Sequence, residues 1–188
     1  KDFNVFNIDA SDEYSEEQSR LLFTASLLGY YEQLILFEKY QQELREYNIE
    51  KPLWIFVGSR VISSSGSLSK TDKESISDVT RIVKYFKHIL SNPTKLQKDI
   101  DKILSEETGL IDLEGKDIFK SRFNYLKEEK PTAENILYKI FHGMGNIEAF
   151  QVKQADGEIA LKTHTSDRYF GVINIGDVPR YSKTLVED

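Results

Sequence analysis

Apolar residues return along this chain with two different periods. From Leu21 to Tyr47 they recur mostly every three or four positions (Leu21, Leu22, Ala25, Leu28, Ile35, Leu36, Tyr40, Leu44, Tyr47), which is the period of one helix face. Ser11 or Ser15 offers an N-terminal cap, and Glu16 and Glu17 follow in the first turn, where acids meet the positive end of the helix dipole. One long helix, or two in line, is expected here, with Gly29 as the internal weak point. The aromatic residues on it (Tyr30, Tyr31, Phe37, Tyr40, Tyr47) fall at helical spacing and read as core-facing rather than as a base-stacking surface. Ahead of this helix Phe3, Val5, Phe6 and Ile8 alternate in part, as in a short edge strand or a packed tail.

Residues 53–57 (Leu-Trp-Ile-Phe-Val) have no polar alternation, the signature of a strand buried on both faces in a parallel α/β sheet. Gly58, Ser59 and Arg60 follow at its carboxyl end, where open α/β sheets gather ligands. The serine-rich stretch 63–69 has Leu68 as its sole apolar residue and predicts a loop that is mobile or orders on a partner. Ile76, Val79, Ile82, Val83, Phe86, Ile89 and Leu90 then mark an amphipathic helix that Asn92-Pro93 stops, completing a β-loop-α unit.

Three more helices are predicted over 94–107, with Gly109 as C-cap, over 117–129, and over 133–141, the last opened by Pro131-Thr132 and closed by His142-Gly143. The block 94–143 reads as a helical insertion with Lys and Glu on its outer faces. The period then changes to two. Residues 147–152 and 159–161 flank Asp156-Gly157, a strong short-range signal for a β-hairpin. Residues 169–175 form a second buried-type strand that ends at Gly176-Asp177, and a helix from near Arg180 repeats the β-loop-α layout. The two buried-type strands are expected to run parallel in one sheet through a right-handed crossover. The fold class is therefore α/β.

Composition narrows the function classes. The 188 residues suffice for one domain with a sizeable core. No apolar run approaches the roughly 20 residues that span a bilayer, so no membrane partner is expected. The absence of Cys excludes disulfides, thiolate–metal sites and Cys nucleophiles, and suits a reducing, cytoplasmic location. A net charge of −6 disfavours an extended phosphate-binding surface but leaves room for local basic patches. The chain starts at Lys1 and has its one Met at position 144, so it reads as a piece of a longer protein.

Several of these stretches, taken in order, resemble the DEAD/DEAH-type helicases of superfamily 2, most closely the Res subunits of type III restriction enzymes. They are Pro52-Leu53-Trp54-Ile55-Phe56-Val57-Gly58-Ser59, Ile76-Ser77-Asp78-Val79, Gly157-Glu158-Ile159-Ala160-Leu161 and, most specific, Phe170-Gly171-Val172-Ile173-Asn174-Ile175-Gly176-Asp177. The resemblance covers most of residues 20–188. It implies a helical connector over 1–50 from a first RecA-like domain, then the N-terminal part of the second RecA-like domain over 51–188. The sheet would be a partial RecA-like parallel sheet with flanking helices, the insertion at 94–143 and the hairpin. It further implies that Gly58, Ser59 and Arg60, with Gly176 and Asp177 beside them, face a nucleic-acid backbone, DNA in the Res subunits. ATP and Mg²⁺ would belong to the parent protein. The Gly-Lys-Ser/Thr phosphate loop and the Asp-Glu-x-His motif do not occur in this chain, so no ATP site and no cofactor are expected in the segment itself.

Two readings from other classes stand beside this one. The first is a protein-interaction or scaffold domain that uses the helical block. The second is a divergent Mg²⁺-dependent nuclease, because Gln151-Val152-Lys153 on a strand, with Glu148 nearby, resembles the Gln-x-Lys variant of the restriction-nuclease core; an upstream metal-binding Asp in matching context is lacking. His88, His142 and His164 have no carboxylates at metal-ligand spacing and read as helix-face or loop histidines.

Overall fold

The computed structural model describes residues 16–56, 78–152 and 158–174. The expectations for the first ten residues, the 63–69 loop, the Asp156-Gly157 turn and the helix near Arg180 lie outside them.

The first helix, α1, spans Glu16–Lys39, with Glu16 and Glu17 in its first turn and Lys39 in its last. Leu21, Ala25 and Leu28 face inward at steps of three and four, and Thr24 and Glu32 are buried on the same side. Gly29 does not interrupt it. Tyr40 (φ −112°, ψ 24°) separates α1 from the short α2, Gln41–Arg45, which buries nothing, so of the two alternatives, one helix or two, the chain forms two, with the break at Tyr40 rather than at Gly29. Tyr30 and Tyr31 pack on the core, whereas Tyr40 and Tyr47 are exposed.

Helix α3, Asp78–Ser91, turns its Tyr85, Phe86, Ile89 and Leu90 inward. Asn92 alone joins it to α4, Pro93–Leu104, with Pro93 in the first turn where its missing N–H costs no helical bond. The predicted end at Glu107 with a Gly109 cap is corrected. α4 stops at Leu104, and Glu106 (φ 61°) takes the left-handed position of a Schellman closure: Glu107 N–H donates to Lys102 O and Glu106 N–H to Ile103 O. A Glu tolerates this conformation here because its carboxylate accepts from Ser121 N–H at 2.9 Å and from Lys127 Nζ.

The predicted helix over 117–129 is also corrected, to α5, Asn124–Glu129. Asp117, bridged to Ile111, uses its carboxylate on Thr108 N–H, Thr108 Oγ1 and Phe119 N–H, and Ser121 sits at φ 59°, so residues 118–123 form turns. Helix α6, Ala133–Phe141, matches its predicted limits. Thr132 caps it by accepting from Asn135 N–H, and His142 (φ 60°) ends it in the left-handed region. Gly143 then lies so close to the Thr163 and Thr165 hydroxyls that a Cβ would not fit.

Strands β1 (Ile147–Gln151), β2 (Glu158–Thr163) and β3 (Tyr169–Asn174) form an antiparallel sheet in the order β1-β2-β3. Ile147 pairs with Thr163 and Gln151 with Ile159, as a hairpin requires. Among the described residues the protein is thus mixed α/β. Burial on both faces is corrected for β3, whose Tyr169 and Val172 are 54% and 60% exposed among the described residues. The helices share one buried core, and Ile159 and Leu161 of β2 form a second, smaller cluster that meets it through Ile147 and Phe170. Leu21 and Leu28 of α1, Ile89 of α3, Ile100 and Ile103 of α4, Leu126 of α5 and Ile136 and Phe141 of α6 belong to one buried cluster, onto which Ile147 and Phe170 of the sheet pack. Helix α1 therefore shares its core with the helices of residues 94–143.

Candidate functional site

The loop residues singled out from sequence, Gly58, Ser59, Arg60, Gly176 and Asp177, lie outside the described residues, but the segments that lead into both loops are within them. Residues 51–56 form an extended segment rather than a regular strand. Burial on both faces is corrected here too: Leu53 and Ile55 are each 73% exposed, while Trp54 and Phe56 pack inward. This alternation is that of a half-buried strand. Two contacts with α1 tie the segment down. Trp54 Nε1 donates to Ser26 Oγ at 3.1 Å, and the Tyr30 hydroxyl donates to Pro52 O at 3.4 Å beneath a stacked Tyr30–Trp54 ring pair.

Phe86 of α3 is the centre on which these parts meet. Its ring lies 5.7 Å from that of Trp54, 5.9 Å from Phe56, 5.1 Å from Phe141 and 6.1 Å from Phe170 of β3, mostly in tilted or edge-to-face arrangements. Phe141 and Phe170 also meet edge-to-face at 4.9 Å. Such geometries are favourable for aromatic pairs beyond the apolar area they bury. The segment before Gly58 and the strand before Gly176 are therefore both anchored to one side chain of α3.

A second arrangement was not foreseen from the sequence, which read the lysines of the helical block as a solvated face. Where α3 turns into α4, an open pocket of about 530 Å³ is lined by Arg20, Ser91, Asn92, Thr94, Lys95, Lys98, Asp99 and Lys102, among others. Arg20 is held in place by the buried Asp99, donating from Nε at 2.6 Å and from an Nη at 3.2 Å. Lys102 pairs with Glu17 at 2.7 Å, which draws the Glu17 carboxyl below its usual range. The nearby His88 imidazole is held below its ordinary value, first by burial and then by the charges of Lys95 and Arg20. Its Nε2 is buried and has no hydrogen-bond partner among the described residues.

Glu148 lies across β1 from Gln151, on the opposite face, and pairs with Lys162 at 3.4 Å; Lys153 lies outside the described residues. His142 titrates low through burial and then through Arg168 and Lys51. Among the described residues no three His, Asp or Glu side chains are grouped to hold a metal ion, and no helix is long and apolar enough to cross a membrane. No family model, curated protein or solved structure matches this chain.

Proposed function

We propose that the chain is a segment of a DNA-dependent ATPase of the helicase type, akin to the Res subunits of type III restriction enzymes, that supplies contacts to the nucleic-acid backbone and has no complete ATP site of its own. In this reading residues 53–57 lie parallel beside β3 in a RecA-like sheet, and the Gly58-Ser59-Arg60 and Gly176-Asp177 loops reach the backbone. ATP and Mg²⁺ are held by the first RecA-like domain of the same parent chain. The observation that supports it is the shared anchor: the lead-in segments of both loops pack on Phe86. In addition, β3 has β2 on one edge and no strand on the other among the described residues, which leaves room for a parallel neighbour.

Arg60 carries the test. A guanidinium contacts phosphate oxygens with two hydrogen bonds at once, and a Gly-Ser pair before it lets the backbone approach closely. In the parent protein, Arg60→Ala weakens DNA binding about equally across sequences and lowers the salt slope by roughly one, as one lost phosphate contact requires. Unchanged affinity and slope would assign Arg60 to the scaffold and defeat the role given to this loop.

A further inference from the structure

We infer that the pocket between the N-terminal part of α1 and the α3–α4 turn is a phosphate-binding site, and that the phosphates are those of a nucleic-acid backbone. The identity of the ligand rests on the function proposed above; the phosphate site itself does not.

Charge carries the argument. Arg20, Lys95, Lys98 and Lys102 converge on one cavity, against which stand two carboxylates, Asp99 and Glu17, a surplus of two positive charges. This is unexpected in a chain of net charge −6. The two acids are already engaged by Arg20 and Lys102, whereas Lys95 and Lys98 form no ion pair among the described residues. Unneutralised lysines gathered on one side of a cavity repel one another, a cost that a bound anion offsets.

The geometry suits phosphate in particular. Lys95, Lys98 and Lys102 occupy steps of three and four along α4, opposite its buried Leu96, Ile100 and Ile103, so their ammonium groups form a row along one helix face. Arg20 closes the row from α1 with its guanidinium fixed by Asp99; only part of its donor set is used on that carboxylate, which leaves N–H groups for a second acceptor. Ser91 and Thr94 add hydroxyls at the rim. A row of cations spaced along a helix tracks successive phosphates better than it encloses one small anion.

Two ligands separate the sources. The 188-residue chain, labelled with ¹⁵N, is titrated with pyrophosphate and, by fluorescence anisotropy, with a fluorescein-labelled 20-mer of thymidylate at several salt concentrations. Lys95→Glu/Lys98→Glu is the test variant; both side chains are exposed, so folding is retained. Lys116→Ala, outside the pocket lining and paired with Glu114, is the control. The expected result is salt-sensitive oligonucleotide binding that Lys116→Ala leaves unchanged. The double variant weakens it at least tenfold, with the salt slope smaller by about 1.4, that is, about 0.7 for each of two phosphates on a single strand. The Thr94, Lys95 and Lys98 amide signals should shift with either ligand. Pyrophosphate binding lost in the double variant, without oligonucleotide binding, keeps the phosphate site and overturns the nucleic-acid ligand. Binding of neither ligand, or binding indifferent to Lys95 and Lys98, overturns the site. None of these outcomes depends on Arg60, so the pocket and the Gly58-Ser59-Arg60 loop succeed or fail separately.

Discussion

Removing the Phe86 ring should uncouple the extended segment 51–56 from the rest of the core. Phe86 is buried, with Trp54, Phe56, Tyr85, Phe141 and Phe170 all within 6.1 Å between ring centroids. A buried Phe→Ala change costs about 3–5 kcal/mol through lost transfer energy and the cavity left behind. The upper part of that range applies here, because rings held on several elements cannot all move in to fill one gap. Phe86→Leu keeps most of the apolar volume and loses the ring-to-ring terms, each about 0.5–1.5 kcal/mol and not additive, so about 1–2 kcal/mol is expected. For a chain of this size 1 kcal/mol corresponds to about 2–4 °C in Tm, which places Phe86→Ala about 8–20 °C below the parent chain. Trp54 is the single Trp of the chain and contacts this ring, so its emission reports on the hub directly, while circular dichroism at 222 nm reports on the helices. In urea the Trp54 transition of Phe86→Ala should precede the helical transition, and its emission should be red-shifted before any denaturant is added. A loss under 1 kcal/mol with unchanged Trp54 emission would refute the idea that Phe86 holds the segment.

Two further outcomes follow from the buried charges and histidines. Asp99→Ala leaves Arg20, whose side chain is 19% exposed, without its partner and should cost about 2–4 kcal/mol in urea unfolding, whereas Arg20→Met/Asp99→Leu should recover most of the loss because it removes both charges together. His88 and His142 titrate below their ordinary value of 6.5, so the unfolded chain binds protons that the folded one refuses, and stability should fall as pH drops below 6.5. Tm measured from pH 8 to 5 should decline less in His88→Gln/His142→Gln than in the parent chain; parallel profiles would show that other groups set this limb. Glu17 and Glu106 titrate low because of Lys102 and Lys127, so their contribution is lost only at more acid pH, below their ordinary 4.5.

Local chemistry alone determined several elements of this protein. The limits of α6 were legible because Thr132 can cap from its own side chain, and because the chain leaves the helix at His142 ahead of a glycine. The hairpin of β1 and β2 was legible because period-two runs on either side of Asp156-Gly157 admit one register that keeps Ile159 and Leu161 inside. The extent of α5 was not legible, because it depends on Asp117 reaching back to Thr108 and on Ser121 bonding Glu106, contacts that an apolar period does not encode. Residues 53–57 misled for a related reason. An unbroken apolar run is the same whether two faces or one are covered, and among the described residues α1 and Phe86 cover the Trp54 and Phe56 side while Leu53 and Ile55 face outward. The lysines of α4 look like any solvated helix face in sequence. Only the packing of α1 against α4, which brings Arg20 to Asp99 across 79 residues, turns them into a pocket with a common electrostatic field.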